Sequence, residues 1–107
     1  MTIKLLRERC AYWQKRFQLL DWNIYLQWGS AREMKDLCGT CSWSVEDGIA
    51  VIKLNRTMPN QEETVIHELI HIVLQGHLPE LPPYDVHLER GINRMAAAFM
   101  NSDGSVE

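Results

Sequence analysis

Apolar residues recur at alternating spacings of three and four through Ile3, Leu6, Cys10, Trp13, Phe17 and Leu20, the stripe of an amphipathic helix whose other faces carry the charges. The period then changes to two. Trp22, Ile24, Leu26 and Trp28 alternate with Asn23, Tyr25 and Gln27, as a half-buried strand requires, and Gly29 and Ser30 end it. After a polar stretch from Ala31 to Asp36, Thr40 to Val45 alternates again with Cys41, Trp43 and Val45 on one side. Asp47-Gly48 favours a tight reversal into the β-branched run Ile49 to Leu54, so the two segments predict a hairpin and the sheet about three strands.

Pro59 and Asn60 punctuate the chain before a strongly apolar helix from about Gln61 to Gln75. Asn60 with Glu63 fits a reciprocal cap, and Gly76 is a natural left-handed stop. Leu78 to Tyr84, with Pro79, Pro82 and Pro83, predicts a non-helical connection. Asp85 can cap a last helix from about Val86 to Met100 with Ile92, Met95, Ala96 and Phe99 on its apolar face. The pattern predicts one α+β domain over residues 1–100 and a loose polar tail over 101–107, with no repeat and no internal boundary.

At 107 residues, 46% hydrophobic and 23% charged, the chain has the composition of one ordinary globular domain. A net charge of −3 is too modest to suggest a polyanion partner. The basic residues near the N-terminus (Lys4, Arg7, Arg9, Lys15, Arg16) are expected to be a solvated helix face and not a nucleic-acid surface. Neither a signal-peptide core nor a bilayer-spanning run is visible, and three cysteines suit a reducing compartment, so the expectation is a cytoplasmic protein without a membrane partner. Cys38-Gly39-Thr40-Cys41 has redox or zinc-site spacing but lacks a second cysteine pair, and predicts incidental thiols. All four tryptophans fall at core-facing positions.

The chemistry lies in the second long helix. His67-Glu68-Leu69-Ile70-His71 has HExxH spacing, which puts two imidazoles on one face a turn apart and leaves room on a zinc ion for a third protein ligand and a water. Glu68 projects beside the metal, where it can take a proton from a zinc-bound water. Two residues compete for the third position. His77 stands six after His71, but Leu74 occupies the place where such a ligand arrangement needs a glycine. Glu89 lies on the last helix with Asn93 one turn on, so the carboxylate can reach zinc while the amide orients a ligand imidazole. Glu89 is the better choice.

The HExxH run together with Glu89-Arg90-Gly91-Ile92-Asn93-Arg94 resembles the gluzincin metallopeptidases, and the small size resembles their minimal single-domain members, the minigluzincins. That resemblance implies a small twisted sheet over the active-site helix and hydrolysis of peptide or protein substrates by one catalytic zinc. It also implies that Ile49, Ala50, Val51, Ile52, Lys53 and Leu54 form the outer strand that binds extended substrate, and that a Tyr or His stabilises the oxyanion, for which Tyr84 and His87 are available. By the same resemblance the tail could hold the enzyme latent, through Asp103, Glu107 or the terminal carboxylate on the metal. Asn93 stands where the family often has Asp, which orients an imidazole without charge. The rival expectation is a catalytically silent, zinc-stabilised binding module, against which Glu68 argues, because a structural site needs no base.

Overall fold

The first helix, α1 (Ile3–Arg16), starts where the Thr2 side chain accepts from the Leu5 N–H and buries Leu6, Cys10 and Trp13 at intervals of four and three. The computed structural model describes residues 1–78 and 85–103. The apolar stripe does not continue to Leu20 as its period suggested. Gln18 turns left-handed at φ 57°, which shifts the phase of the chain. Leu19 therefore enters the core, and Leu20 is left 66% exposed. The Gln14 amide secures this turn by donating to the Leu19 and Trp22 carbonyls.

The strands β1 (Asn23–Trp28), β2 (Gly39–Ser44) and β3 (Ile49–Leu54) form one mixed sheet in the order β1-β3-β2. β3 runs parallel to β1 and antiparallel to β2, paired along all six of its residues on each side. The β2–β3 hairpin forms as expected, with Gly48 at φ 63° in the turn. Val45 begins that turn and is exposed, so it does not extend the apolar side of β2. Between β1 and β2 the stretch expected to be irregular contains a one-turn helix, α2 (Ala31–Met34). It is held by a Ser30/Glu33 capping box, a Ser-x-x-Glu signature visible in the sequence.

The topology overturns the expectation that Ile49–Leu54 is an outer strand. Both of its edges are occupied, and its Ala50, Ile52 and Leu54 side chains are fully buried, so no backbone group remains for a substrate. The two outer strands differ. On β1, the Arg7 Nε donates to the Leu26 carbonyl from α1 and blunts the edge. β2 pairs only with β3 among the described residues, and it packs beside the next helix.

That helix, α3 (Gln61–Gln75), has the expected bounds but not the expected ends. Asn60 is left-handed at φ 58° and makes no side-chain cap, so the Asn60/Glu63 box does not form. Gly76 remains right-handed at φ −72°. Its value lies in size, because a Cβ there would come within 2.5 Å of the Ile72 carbonyl oxygen. Val65, Ile66, Leu69 and Ile72 bury α3 against the sheet and α1. The expected connection over residues 78–84 falls, beyond Leu78, outside the described residues.

The last helix, α4 (Val86–Ser102), begins at the Asp85 cap and buries Ile92 and Ala96. It runs two residues past the expected end, and Asp103 is buried rather than part of a loose tail. Asp103 accepts from the Arg9 guanidinium at 2.7 Å and the Tyr12 hydroxyl at 2.8 Å. Arg9 also donates to buried Glu62 at 3.0 Å, and the Trp13 indole donates to the same Glu62 oxygen at 2.8 Å. The start of the presumed tail is thus tied to α1, and Asp103 is not available to cover a metal; residues 104–107 lie outside the described ones. Among the described residues no helix is long and apolar enough to cross a membrane.

Replacing Asp103 with Ala is expected to lower the unfolding free energy by about 2–3 kcal/mol. This is at or below the low end of what breaking a buried ion pair costs, because Arg9 keeps Glu62. Urea denaturation checks it: a Ser102→Ala control should keep the wild-type midpoint, and an unchanged midpoint in Asp103→Ala would show that α4 is not anchored there.

Candidate metal centre

Four residues on α3 bring His67 and His71 to one face, with ring centroids 4.9 Å apart and both rings half-buried. The first turn of α4 carries Glu89 to the same point. Glu89 Oε1 lies 3.1 Å from His67 Nε2 and 2.8 Å from His71 Nε2, and the two nitrogens are 3.2 Å apart. The three residues form a group that could hold a metal ion.

The contacts of the group are ones that a cation would reconcile. His71 Nδ1 lies 2.5 Å from the side-chain oxygen of buried Gln75, so Nδ1 carries the proton and donates it. In the neutral ring Nε2 then presents a lone pair to the anionic Glu89 oxygen, which is repulsive unless a positive species sits between them. One proton can satisfy only one of the three close contacts. A metal ion engages all three donors at once. Glu89 Oε2 points the same way, being buried without a hydrogen-bond partner among the described residues, a costly state for a carboxylate oxygen unless a cation offsets it.

Glu68 is only 7% exposed and lines the same cleft. Burial pushes its carboxyl up to about 7; neighbouring Glu89 adds to the rise and His71 opposes it. Burial also raises the Cys41 thiol, with Glu68 contributing, so Cys41 stays protonated. The cleft encloses about 370 Å³, within the range of small-molecule and peptide side-chain sites. Its walls come from the start of β2 at Cys38 and Gly39, from α3, and from α4 at Glu89, Asn93 and Ala96.

His67, Glu68, His71 and Glu89 thus converge as the spacing implied, whereas the other candidates do not. The His77 ring packs edge-on against Trp22 at 5.8 Å, and its Nδ1 faces the Ile72 carbonyl, so it stands outside the ligand group. Asn93 lines the cleft but is exposed and bonds to neither imidazole among the described residues. The amide that holds an imidazole is Gln75, which the sequence reading overlooked. It sits four residues after His71 on the same face, so extending the helical spacing one further turn would have found it. His87 is exposed and not part of the cleft wall, and Tyr84 lies outside the described residues. The Ile49–Leu54 segment does not line the cleft; its place there is taken by the start of β2.

No protein-family model, curated protein or solved structure matches this chain.

Proposed function

We propose that this chain is a zinc-dependent peptidase of the gluzincin type, with His67, His71 and Glu89 as ligands and Glu68 as general base. The observation that carries the reading is the meeting of three donor atoms at one point, with the second oxygen of the Glu89 carboxylate buried and without a hydrogen-bond partner among the described residues. A tetrahedral zinc ion with ligands at roughly 2.0–2.1 Å sets its donors about 3.3 Å apart. The separations of 2.8, 3.1 and 3.2 Å lie within about half an ångström of that spacing. Two imidazoles and one carboxylate are also the donor set of open catalytic zinc sites, whereas structural sites are closed by four protein ligands.

When bound, zinc supplies a Lewis acid that lowers the pKa of a coordinated water to about 7 and polarises the scissile carbonyl. The proton work falls to Glu68. Its carboxyl, buried in the cleft wall and poised near neutrality, accepts a proton from the attacking water and returns it to the leaving amine. Gln75 fixes the His71 tautomer so that Nε2 faces Glu89. The open edge of β2, which begins at the cleft, is where an extended peptide can add as a further strand.

Glu68→Gln is expected to bind one zinc per chain as wild type does while kcat/KM for a peptide falls by roughly three orders of magnitude or more. Loss of zinc from this variant, counted by atomic absorption after dialysis, would make Glu68 structural and end its assignment as the base.

Chelator competition separates the ligands from their neighbours. Glu89→Ala should lose most of its zinc affinity, Gln75→Leu should weaken it by about 10- to 100-fold, and His77→Ala should leave it unchanged. The reverse order for Glu89 and His77 would give the third position to His77.

A further inference from the structure

The cleft holds one more acidic side chain than the proposed chemistry uses. Glu63 lies one turn before His67 on α3, so it shares the face of the ligands about 5–6 Å along the axis. It is half-buried in the cleft wall and makes no ion pair or side-chain hydrogen bond with any described residue. No Lys or Arg among the described residues lines this cleft. The Met1 ammonium meets the Gln61 side chain at 3.4 Å in a neighbouring pocket that Glu63 also borders, and it makes no ion pair with Glu63 among the described residues.

The charges decide what such a wall attracts. Glu63 faces the cleft beside Glu68 and Glu89, with no cationic Lys or Arg side chain among the described lining residues to offset its carboxylate. Glu68 itself is more than nine-tenths buried, lines the cleft and has no hydrogen-bond partner among the described residues, so two acidic side chains of this cleft, Glu63 and Glu68, face it without a partner. Beside Glu63 the cleft wall continues with Asn60 just before α3, Thr64 on α3 and Asn93 on α4, whose neutral polar groups suit an ammonium or guanidinium and repel neither. Glu63 also sits in the first turn of α3, where a carboxylate complements the helix dipole. That role would account for its sign but not for its place in the cleft.

We infer that Glu63 is a specificity-determining residue whose carboxylate receives a cationic group of the substrate next to the scissile bond, so that the substrate class is a basic peptide. The inference rests on the peptidase reading for its reaction but not for its binding. The cationic group is a Lys or Arg side chain or a free peptide N-terminus, which present the same chemistry to Glu63. A peptide extended along the β2 edge alternates its side chains between two faces, and one face meets α3. The helical turn between Glu63 and His67 sets the subsite within one residue of the bond to be cut.

The test uses zinc-loaded protein and end-blocked alanine hexapeptides carrying one Lys, one Glu or neither, with the position varied, plus an unblocked alanine hexapeptide. Binding is measured by calorimetry in the Glu68→Gln background and kcat/KM in the native one. The Lys peptide should bind and turn over at least about tenfold better than the Glu peptide. Glu63→Gln should abolish that ratio and Glu63→Lys invert it, while zinc content stays at one per chain. If the unblocked alanine peptide alone shows the Glu63-dependent gain, the occupant is the terminal ammonium and the cationic subsite still stands. A purely structural Glu63 would lower the thermal midpoint and weaken all peptides equally. That result, or a preference for Lys that survives in Glu63→Gln, overturns the inference. Glu63-dependent binding of basic peptides without any hydrolysis would keep the subsite and reject the peptidase reading. Absence of both binding and hydrolysis would reject the two together.

Discussion

Two imidazole nitrogens and a carboxylate oxygen held within 2.8–3.2 Å of one another are the constraint around which the rest of this chain is arranged. Such donors repel unless a cation joins them, so the fold must press them together. α3 does part of this through its buried face against the sheet. α4 is more lightly held, with Ile92 and Ala96 buried while Val86, Met95 and Phe99 remain exposed. It packs on the core through Ile92 and Ala96 with Leu88 and Met100 beside them, and Phe99 meets the Trp13 and Phe17 rings; polar contacts then tie both ends. Glu89 meets the histidines in the first turn, and Asp103, just past the last, meets Arg9 and Tyr12. A metal ion would replace repulsion with attraction at one of these two anchors, and its binding free energy would then add to the stability of the helix pair.

The sheet serves the same point from the other side. With β3 in the centre, its fully buried Ala50, Ile52 and Leu54 support α3 from below, and the exposed pairing capacity moves to β2. Gly39 marks the closest approach, since a Cβ there would fall 2.7 Å from the Thr64 methyl group. Arg7 blunts the β1 edge of the sheet at Leu26, and the β2 edge, unpaired among the described residues, borders the cleft.

The local pattern made the elements of this fold legible, because helix and strand periods are short-range. α1, the three strands, α3 and α4 all lie where the apolar spacing put them, within a few residues. HExxH was legible for the same reason, since four residues on a helix fix a geometry. What the sequence hid depends on long-range partners or on backbone angles that side-chain type does not dictate. Strand order was hidden, because neither the apolar period nor the β-branched content of Ile49–Leu54 says which strands flank it, and the resemblance places it at an edge. Asn60 and Gly76 were read by residue type as cap and left-handed stop, yet Asn60 is left-handed and Gly76 is not. Asp103 lay in a polar run that resembled a tail, and its partners stand more than ninety positions away. Gln75 is less conspicuous than Asn93 because a neutral amide at the buried end of the same helix reads as packing until its contact with His71 is seen.

The central claim is the identity of the atoms around the metal, and X-ray absorption at the zinc edge of the loaded protein reads them directly. The account predicts a first shell of nitrogen and oxygen only, at roughly 2.0–2.1 Å, with imidazole scattering from two histidines. A sulfur scatterer at about 2.3 Å would place Cys38 or Cys41 on the ion and contradict the assignment of His67, His71 and Glu89 as the site.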